Sequence, residues 1–239
     1  MILAVDSAPR LRVYYGGTFD PVHNGHLAVA RHACDILDAQ LWLVPARDPP
    51  HKSPTHADAD QRAAMLDLAV ADQTRLAVDR RELARTGPSY TVDTLAELRA
   101  ELGESVPIAW LIGADSLLQL GSWHRWRELF DRAHVVAVQR PGSKLDAALL
   151  RRRAPEVLDE ISGRWLPPAA LGETAHGGFA LLPMPSLRPE SSTELRRRIH
   201  AGEPWHDWVP PAVAAYIADH GLYREPVGIL PPPSSSPRP

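Results

Sequence analysis

Val13-Tyr-Tyr-Gly-Gly-Thr-Phe-Asp-Pro-Val-His-Asn-Gly-His-Leu27 is the stretch whose reading decides the fold. Val13 to Tyr15 are β-branched and aromatic, the residue types of a buried strand. Gly16 and Gly17 follow, and glycine lets a chain turn at positive φ and approach a ligand closely. Thr18, Asp20 and Pro21 suit a turn into a helix, and the spacing of Leu27, Ala30, Ala33, Cys34 and Leu37 predicts that helix over 26–39. Strand, glycine turn and helix start together aim backbone N–H groups and a positive dipole end at one spot. His23 and His26, three apart, add two imidazoles on one side of a helical turn. Amides, dipole and imidazole donors make a polyphosphate site. The plainer alternative is a glycine turn with two surface histidines. Neither the dinucleotide fingerprint nor the Walker phosphate loop occurs anywhere in the chain.

Outward from this stretch, strands and helices alternate. Leu41 to Val44 is a short apolar run suited to a parallel strand covered on both faces. A proline-rich loop over 45–56 leads to a helix at 58–71 and a short strand at 75–78. A helix at 91–102, capped by Ser89 or Thr91, carries the inward stripe Val92, Leu95, Leu98 and Leu102. Strands follow at 108–112 and 135–138, with short helices near 116–120 and 124–131 between them. Residues 142–185 read as an irregular insert, with helix over part of 145–158 and a strand at 179–182. Ser191 or Ser192 caps a helix through Leu195 to Ile199, and Pro210-Pro211 opens a last helix that ends before Gly221. The expectation is an α/β, Rossmann-like, doubly wound parallel sheet with helices on both faces and a C-terminal helical segment. One domain over 11–224 is flanked by a loose extension at 1–10 and a disordered Pro/Ser-rich tail at 225–239.

Composition bounds the function. The 239 residues are 44% hydrophobic and 23% charged with a net charge of −3, which gives no general electrostatic reason to bind nucleic acid or membrane. A single cysteine, Cys34, allows no intrachain disulfide, and no apolar run reaches membrane-spanning length. A soluble cytoplasmic protein is expected, its oligomeric state open, with a homo-oligomer compatible.

In an open parallel sheet, ligands sit beyond the carboxyl ends of the strands. Four polar loops fall at such ends. These are the Gly16–His26 loop, Pro49-Pro-His51-Lys52, Gly113-Ala-Asp115, and Gln139-Arg140-Pro-Gly142. His51 and Lys52 suit a phosphate. Gly113 leaves room for a ribose whose hydroxyls Asp115 accepts. Ser191-Ser192-Thr193-Glu194-Leu195-Arg196 supplies a second anion site, a helix N-terminus with hydroxyls and an arginine. Its plainer reading is an N-cap ahead of a solvated basic face.

The run Gly17-Thr-Phe-Asp-Pro-Val-His-Asn-Gly-His26 resembles the (H/T)xGH motif of the nucleotidyltransferase superfamily. Thr86-Gly-Pro-Ser-Tyr-Thr-Val-Asp-Thr-Leu95, Gly113-Ala-Asp-Ser-Leu-Leu-Gln-Leu-Gly-Ser-Trp-His-Arg-Trp126 and the ending from Pro211 to Tyr223 resemble the bacterial nicotinate-mononucleotide adenylyltransferases. The likeness covers roughly residues 11–142 and 183–224. It implies adenylyl transfer from ATP to nicotinate mononucleotide, giving deamido-NAD and pyrophosphate. His23 and His26 are the implied catalytic pair. Gly16, Gly17, Thr18, Phe19, His51, Lys52, Ser192, Thr193 and Arg196 would hold ATP and its phosphates. Trp123 would stack on the pyridine ring and the His124 amide hold its carboxylate, with Thr86, Tyr90, Gly113, Asp115 and Arg140 completing that half. Glu190 stands where the motif of the serine/threonine helix start usually has isoleucine. Mg2+ is expected to arrive with ATP, and no protein-held metal is expected. His23 and His26 with Asp20 could also describe a transition-metal set, but the glycine approach and the second anion site favour phosphate. Two other readings stand beside this one. The same chemistry could serve another acceptor, as in pantetheine-phosphate adenylyltransferases or glycerol-phosphate cytidylyltransferases. A non-catalytic nucleotide sensor would be expected to have lost the histidines or the Ser192-Thr193 cap, and all are present.

Overall fold

The computed structural model describes residues 10–47, 55–139, 145–186 and 188–224. Among the described residues six strands form one sheet: β1 (Arg12–Gly17), β2 (Gln40–Pro45), β3 (Leu76–Val78), β4 (Ile108–Gly113), β5 (His134–Gln139) and β6 (Phe179–Pro183). Their order is β3-β2-β1-β4-β5-β6, and every pairing is parallel. This is the doubly wound arrangement expected from the alternation of apolar runs and helical stripes. The helices are α1 (Asn24–Leu37), α2 (Ala59–Val70), α3 (Arg81–Ala84), α4 (Thr91–Leu102), α5 (Ala114–Leu118), α6 (Ala147–Arg153), α7 (Pro155–Ser162), α8 (Ser192–Ala201) and α9 (Pro211–Asp219).

Two apolar cores lie on the two faces of the sheet. One joins Val13, Leu41, Leu43, Leu111 and Val136 to α1, α2, α8 and α9. The other joins Tyr14, Val44, Trp110, Ile112 and Val135 to α4, α5, α6 and α7. Strand alternation divides the residues between them, as a sheet buried on both sides requires.

The register places a crevice at the reversal of strand order. β1 pairs with β4 only as far as Tyr15 opposite Leu111. Beyond that, Gly16 and Gly17 continue along Val44 and Pro45 of β2, while Ile112 and Gly113 continue along Ala137 and Val138 of β5. The carboxyl ends of β1 and β4 therefore part, the switch-point geometry of ligand sites in such sheets.

Gly16 and Gly17 lie inside β1 with no positive φ, and the left-handed turn falls instead on Phe19 at φ 50°. The glycines are required for space. A Cβ on Gly16 would lie 2.4 Å from Trp110 Cζ2, and one on Gly17 would lie 2.8 Å from Phe19 Cζ. Trp110 is buried and held by its own strand, so it cannot move aside. Gly16→Ala is expected to destabilise the protein by about 1–3 kcal/mol through overpacking. Thermal denaturation checks this, and an unchanged Tm would contradict it.

Several boundaries differ from the sequence reading for identifiable reasons. The helix predicted over 26–39 begins at Asn24, because His23 itself is its N-cap. Tyr90, not Ser89 or Thr91, occupies the N-cap of α4, and it makes no side-chain cap bond. The segment predicted as helix 124–131 is a 3-10 turn at Trp126–Leu129. Within 145–158 the helix breaks at Ala154, since Pro155 has no N–H to donate and opens α7 instead. The described part of the stretch read as irregular thus contains two helices, a 3-10 turn at Pro168–Gly172 and β6. Residues 1–9 of the expected extension and the whole 225–239 tail lie outside the described residues.

Candidate active site

His23 and His26 cap each other's helix. His26 N–H donates to His23 Nδ1 and His23 N–H donates to His26 Nδ1, both at 3.3 Å. This is a capping box built from imidazoles where serine and glutamate are usual. An Nδ1 that accepts must be unprotonated, so each neutral ring carries its proton on Nε2. The two rings stack at 3.7 Å between centroids, and Phe19 and Tyr15 meet His26 edge-on at 5.0 and 6.2 Å. The backbone thus sets the tautomer of both rings and holds them stacked at the N-terminus of α1. Gly25 makes the pair fit, because a Cβ there would lie 2.9 Å from His23 Nδ1 and 3.3 Å from the Glu190 carbonyl.

Asp20 fixes the loop that carries the pair. It is buried; Oδ2 accepts from His56 N–H at 2.9 Å, and Oδ1 accepts from Ala57 N–H at 3.1 Å and the Tyr223 hydroxyl at 2.9 Å. Both oxygens of the residue weighed above as a metal ligand are therefore engaged by protein donors. Burial, and then the neighbouring Asp20 charge, push the Tyr223 phenol far above its usual range, so it stays a donor. From α8, Arg196 Nη1 donates to the Asp20 carbonyl at 2.6 Å, and the Ser192 hydroxyl donates to the Pro21 carbonyl at 3.0 Å. Ser191 caps α8, accepting from Glu194 N–H at 3.2 Å. The start of α8 is thereby docked against the loop that carries the histidines. Glu190 is buried beside it, 3.8 Å from Arg188, and its Oε2 has no hydrogen-bond partner among the described residues.

A buried cation lies beneath the loop, and sequence reasoning missed it. Arg62 on α2 has no exposed surface, and its Nη1 donates to the carbonyls of Thr18 and Ala46, both at 2.7 Å. Its Nη2 donates to the Arg47 carbonyl at 3.1 Å, so it ties the exits of β1 and β2 together. The signal was present: Arg62 falls in phase with the inward stripe Met65, Leu66 and Ala69, where a charge requires partners.

Across the crevice, Tyr90 and His124 bring the 86–90 and 120–124 segments into contact, with ring centroids 4.4 Å apart. Trp123 is half-buried against the core behind β4 and follows a 3-10 turn at Leu120–Ser122. A Cβ on Gly121 in that turn would lie 2.2 Å from Glu156 Oε1, so α7 buttresses the turn. Gly113 ends β4 with open space beside it, and Asp115 is exposed one residue into α5. Thr86 is exposed in the loop between α3 and α4. Thr193 lies in the first turn of α8. His51, Lys52 and Arg140 lie outside the described residues.

Comparison with known proteins places this geometry in a family. The sequence model described as cytidylyltransferase-like matches residues 14–198. A protein of Stenotrophomonas maltophilia named probable nicotinate-nucleotide adenylyltransferase is 52% identical over 222 residues, covering 90% of this chain and 98% of its own. The chain belongs to the nicotinate-nucleotide adenylyltransferases. Another protein of that name, from Chromobacterium violaceum, is 46% identical over 88% of this chain and 97% of its own. The nicotinic acid mononucleotide adenylyltransferase of Plasmodium falciparum, solved in complex with NaAD, shares the fold at a TM-score of 0.67 and 19% identity, over 90% of this chain and 97% of that one. The same protein complexed with APC aligns at 0.63. As a nicotinate-nucleotide adenylyltransferase the chain is a nucleotidyltransferase with an α/β, Rossmann-like fold, and among its described residues no helix is long and apolar enough to cross a membrane.

Proposed function

We propose that the chain joins ATP and nicotinate mononucleotide into deamido-NAD, releasing pyrophosphate, by direct displacement at the crevice between β1 and β4. A 5′-phosphate oxygen of the mononucleotide attacks the α-phosphorus of ATP. The bond from that phosphorus to the bridging oxygen breaks, and pyrophosphate leaves with the electron pair. The nucleophile is already an anion, so no general base or covalent intermediate is needed. Charge repulsion and alignment set the barrier, and the protein acts by positioning and electrostatics. The observation that carries this reading is the reciprocal capping of His23 and His26, which fixes both imidazoles, protonated on Nε2, at the N-terminus of α1.

His23 and His26 donate to the phosphates as charge builds on departing pyrophosphate. Gly16, Gly17, Thr18 and Phe19 cradle the triphosphate. The start of α8, with Ser192, Thr193 and Arg196, holds its far end. His51 and Lys52 approach the phosphates where the substrates meet. Mg2+ bound to ATP would supply charge neutralisation at the phosphates. The mononucleotide occupies the opposite wall, with Trp123 against the pyridine ring, the His124 amide at its carboxylate, Thr86 and Tyr90 lining the pocket, and Gly113, Asp115 and Arg140 toward ribose and phosphate.

Product formation from ATP and Mg2+, compared between nicotinate and nicotinamide mononucleotides, tests the reading. Marked preference for the acid is expected, and the absence of dinucleotide with either would contradict it. Trp123→Ala is expected to raise KM for the mononucleotide about tenfold through lost aromatic contact, with kcat little changed. An unchanged KM would refute stacking.

A further inference from the structure

Behind the wall assigned to the mononucleotide lies a carboxylate that the transfer chemistry does not use. Glu82, on α3, is only 4% exposed. Its Oε1 accepts the Thr94 hydroxyl at 2.6 Å, one turn into α4, and the nearby Ser89 hydroxyl favours the charged carboxylate. Ser89 Oγ in turn accepts the N–H of Arg47 at 3.1 Å, at the exit of β2. Arg47 Nη1 donates to the carbonyls of Leu83 and Arg85 at 3.2 and 3.0 Å. Arg85 Nη2 donates to Thr94 Oγ1 at 3.2 Å, and Arg85 pairs with Glu97 at 2.8 Å. Glu82 thus closes the segment between α3 and α4 on itself and ties it to the end of β2. Thr86 and Tyr90 lie inside the closed segment, together with Gly87 at φ 93°. Burial pushes the Glu82 carboxyl above its usual range, while Thr94, Arg85 and Ser89 pull the other way.

We propose that Glu82 is a positioning residue for the mononucleotide, holding Thr86 and Tyr90 in their binding geometry through Thr94 and Ser89. The identity of the ligand rests on the adenylyltransferase reading above. A loop that is not held must be ordered by the substrate at the cost of affinity, and that cost appears in KM. The triphosphate is assigned to other elements, the β1–α1 loop and α8, so its KM does not share the effect.

Steady-state kinetics of Glu82→Gln, Ser89→Ala and the double variant test this, with Tm as the check of folding. Each single variant is expected to raise KM for nicotinate mononucleotide about tenfold, the loss of roughly one hydrogen bond to a charged group. The kcat and the KM for ATP are expected to stay within about threefold of the parent. The double variant is expected to be less than additive, because Glu82 and Ser89 act on the same segment within one network. A mononucleotide KM within twofold of the parent, an equal rise in KM for ATP, or additive effects would overturn the proposal. Should Glu82→Gln fail to fold, Ser89→Ala decides alone, since Ser89 is only half-buried. A parent that makes no dinucleotide would overturn the functional reading; an active parent whose variants keep its KM would overturn only this inference.

Discussion

His26→Ala is expected to lower kcat and kcat/KM together by about two to three orders of magnitude, the effect of removing one preorganised donor from a developing anion. The equal loss in both constants follows because the donor acts on charge that appears only as pyrophosphate departs. Alanine also deletes the Nδ1 that accepts His23 N–H, so some stability is lost with the catalytic group. His26→Gln separates the two effects. Glutamine at this third helical position restores the reach-back acceptor of an ordinary capping box. Its Tm is expected within about 2 °C of the parent while kcat stays at least about tenfold down. Steady-state assays beside thermal melts measure both quantities, and near-parental turnover in the alanine variant would remove His26 from the mechanism.

Asp20→Ala is expected to be the most damaging change to stability near the site. Three donors converge on the buried carboxylate: the N–H groups of His56 and Ala57 and the Tyr223 hydroxyl. Arg196 stands 3.9 Å from Oδ2 as well. Removing the acceptor leaves buried donors and a nearby cation without compensation, which costs about 3–5 kcal/mol. For a domain of this size that is a fall in Tm of about 10 °C. Turnover falls too, because the loop between Phe19 and His23 loses its anchor and the imidazoles lose their alignment. Asp20→Asn keeps the shape and one acceptor and is expected to fall between parent and alanine. A Tm within 2 °C of the parent for Asp20→Ala would show that the carboxylate does not hold the loop.

The sheet was legible because its signals are local. Apolar runs such as Leu41 to Val44 and Ile108 to Ile112 alternate with helical stripes, and that alternation leaves little choice of architecture. The histidine pair was legible for the same reason: three residues of spacing put both rings on one helical turn. Features that depend on distant partners were not legible. Gly16 reads as a turn residue until Trp110, almost a hundred positions later, is seen beneath it. Ser89 reads as a helix cap, yet its hydroxyl accepts the Arg47 N–H instead. Asp20 reads as a turn residue and a conceivable metal ligand, and only the fold brings Tyr223 and Arg196 to it. Arg62 was the nearest to a readable exception, as a charge in phase with an apolar stripe.

The central claim is that the mononucleotide phosphate displaces pyrophosphate in one step on a platform of protein donors. The measurement that tests it most directly is the stereochemical course at phosphorus, using ATP made chiral by sulfur at the α-phosphate. A single in-line displacement predicts inversion of configuration in the dinucleotide product. Retention would reveal an intermediate carrying the adenylyl group, and would contradict a mechanism in which His23 and His26 only donate hydrogen bonds.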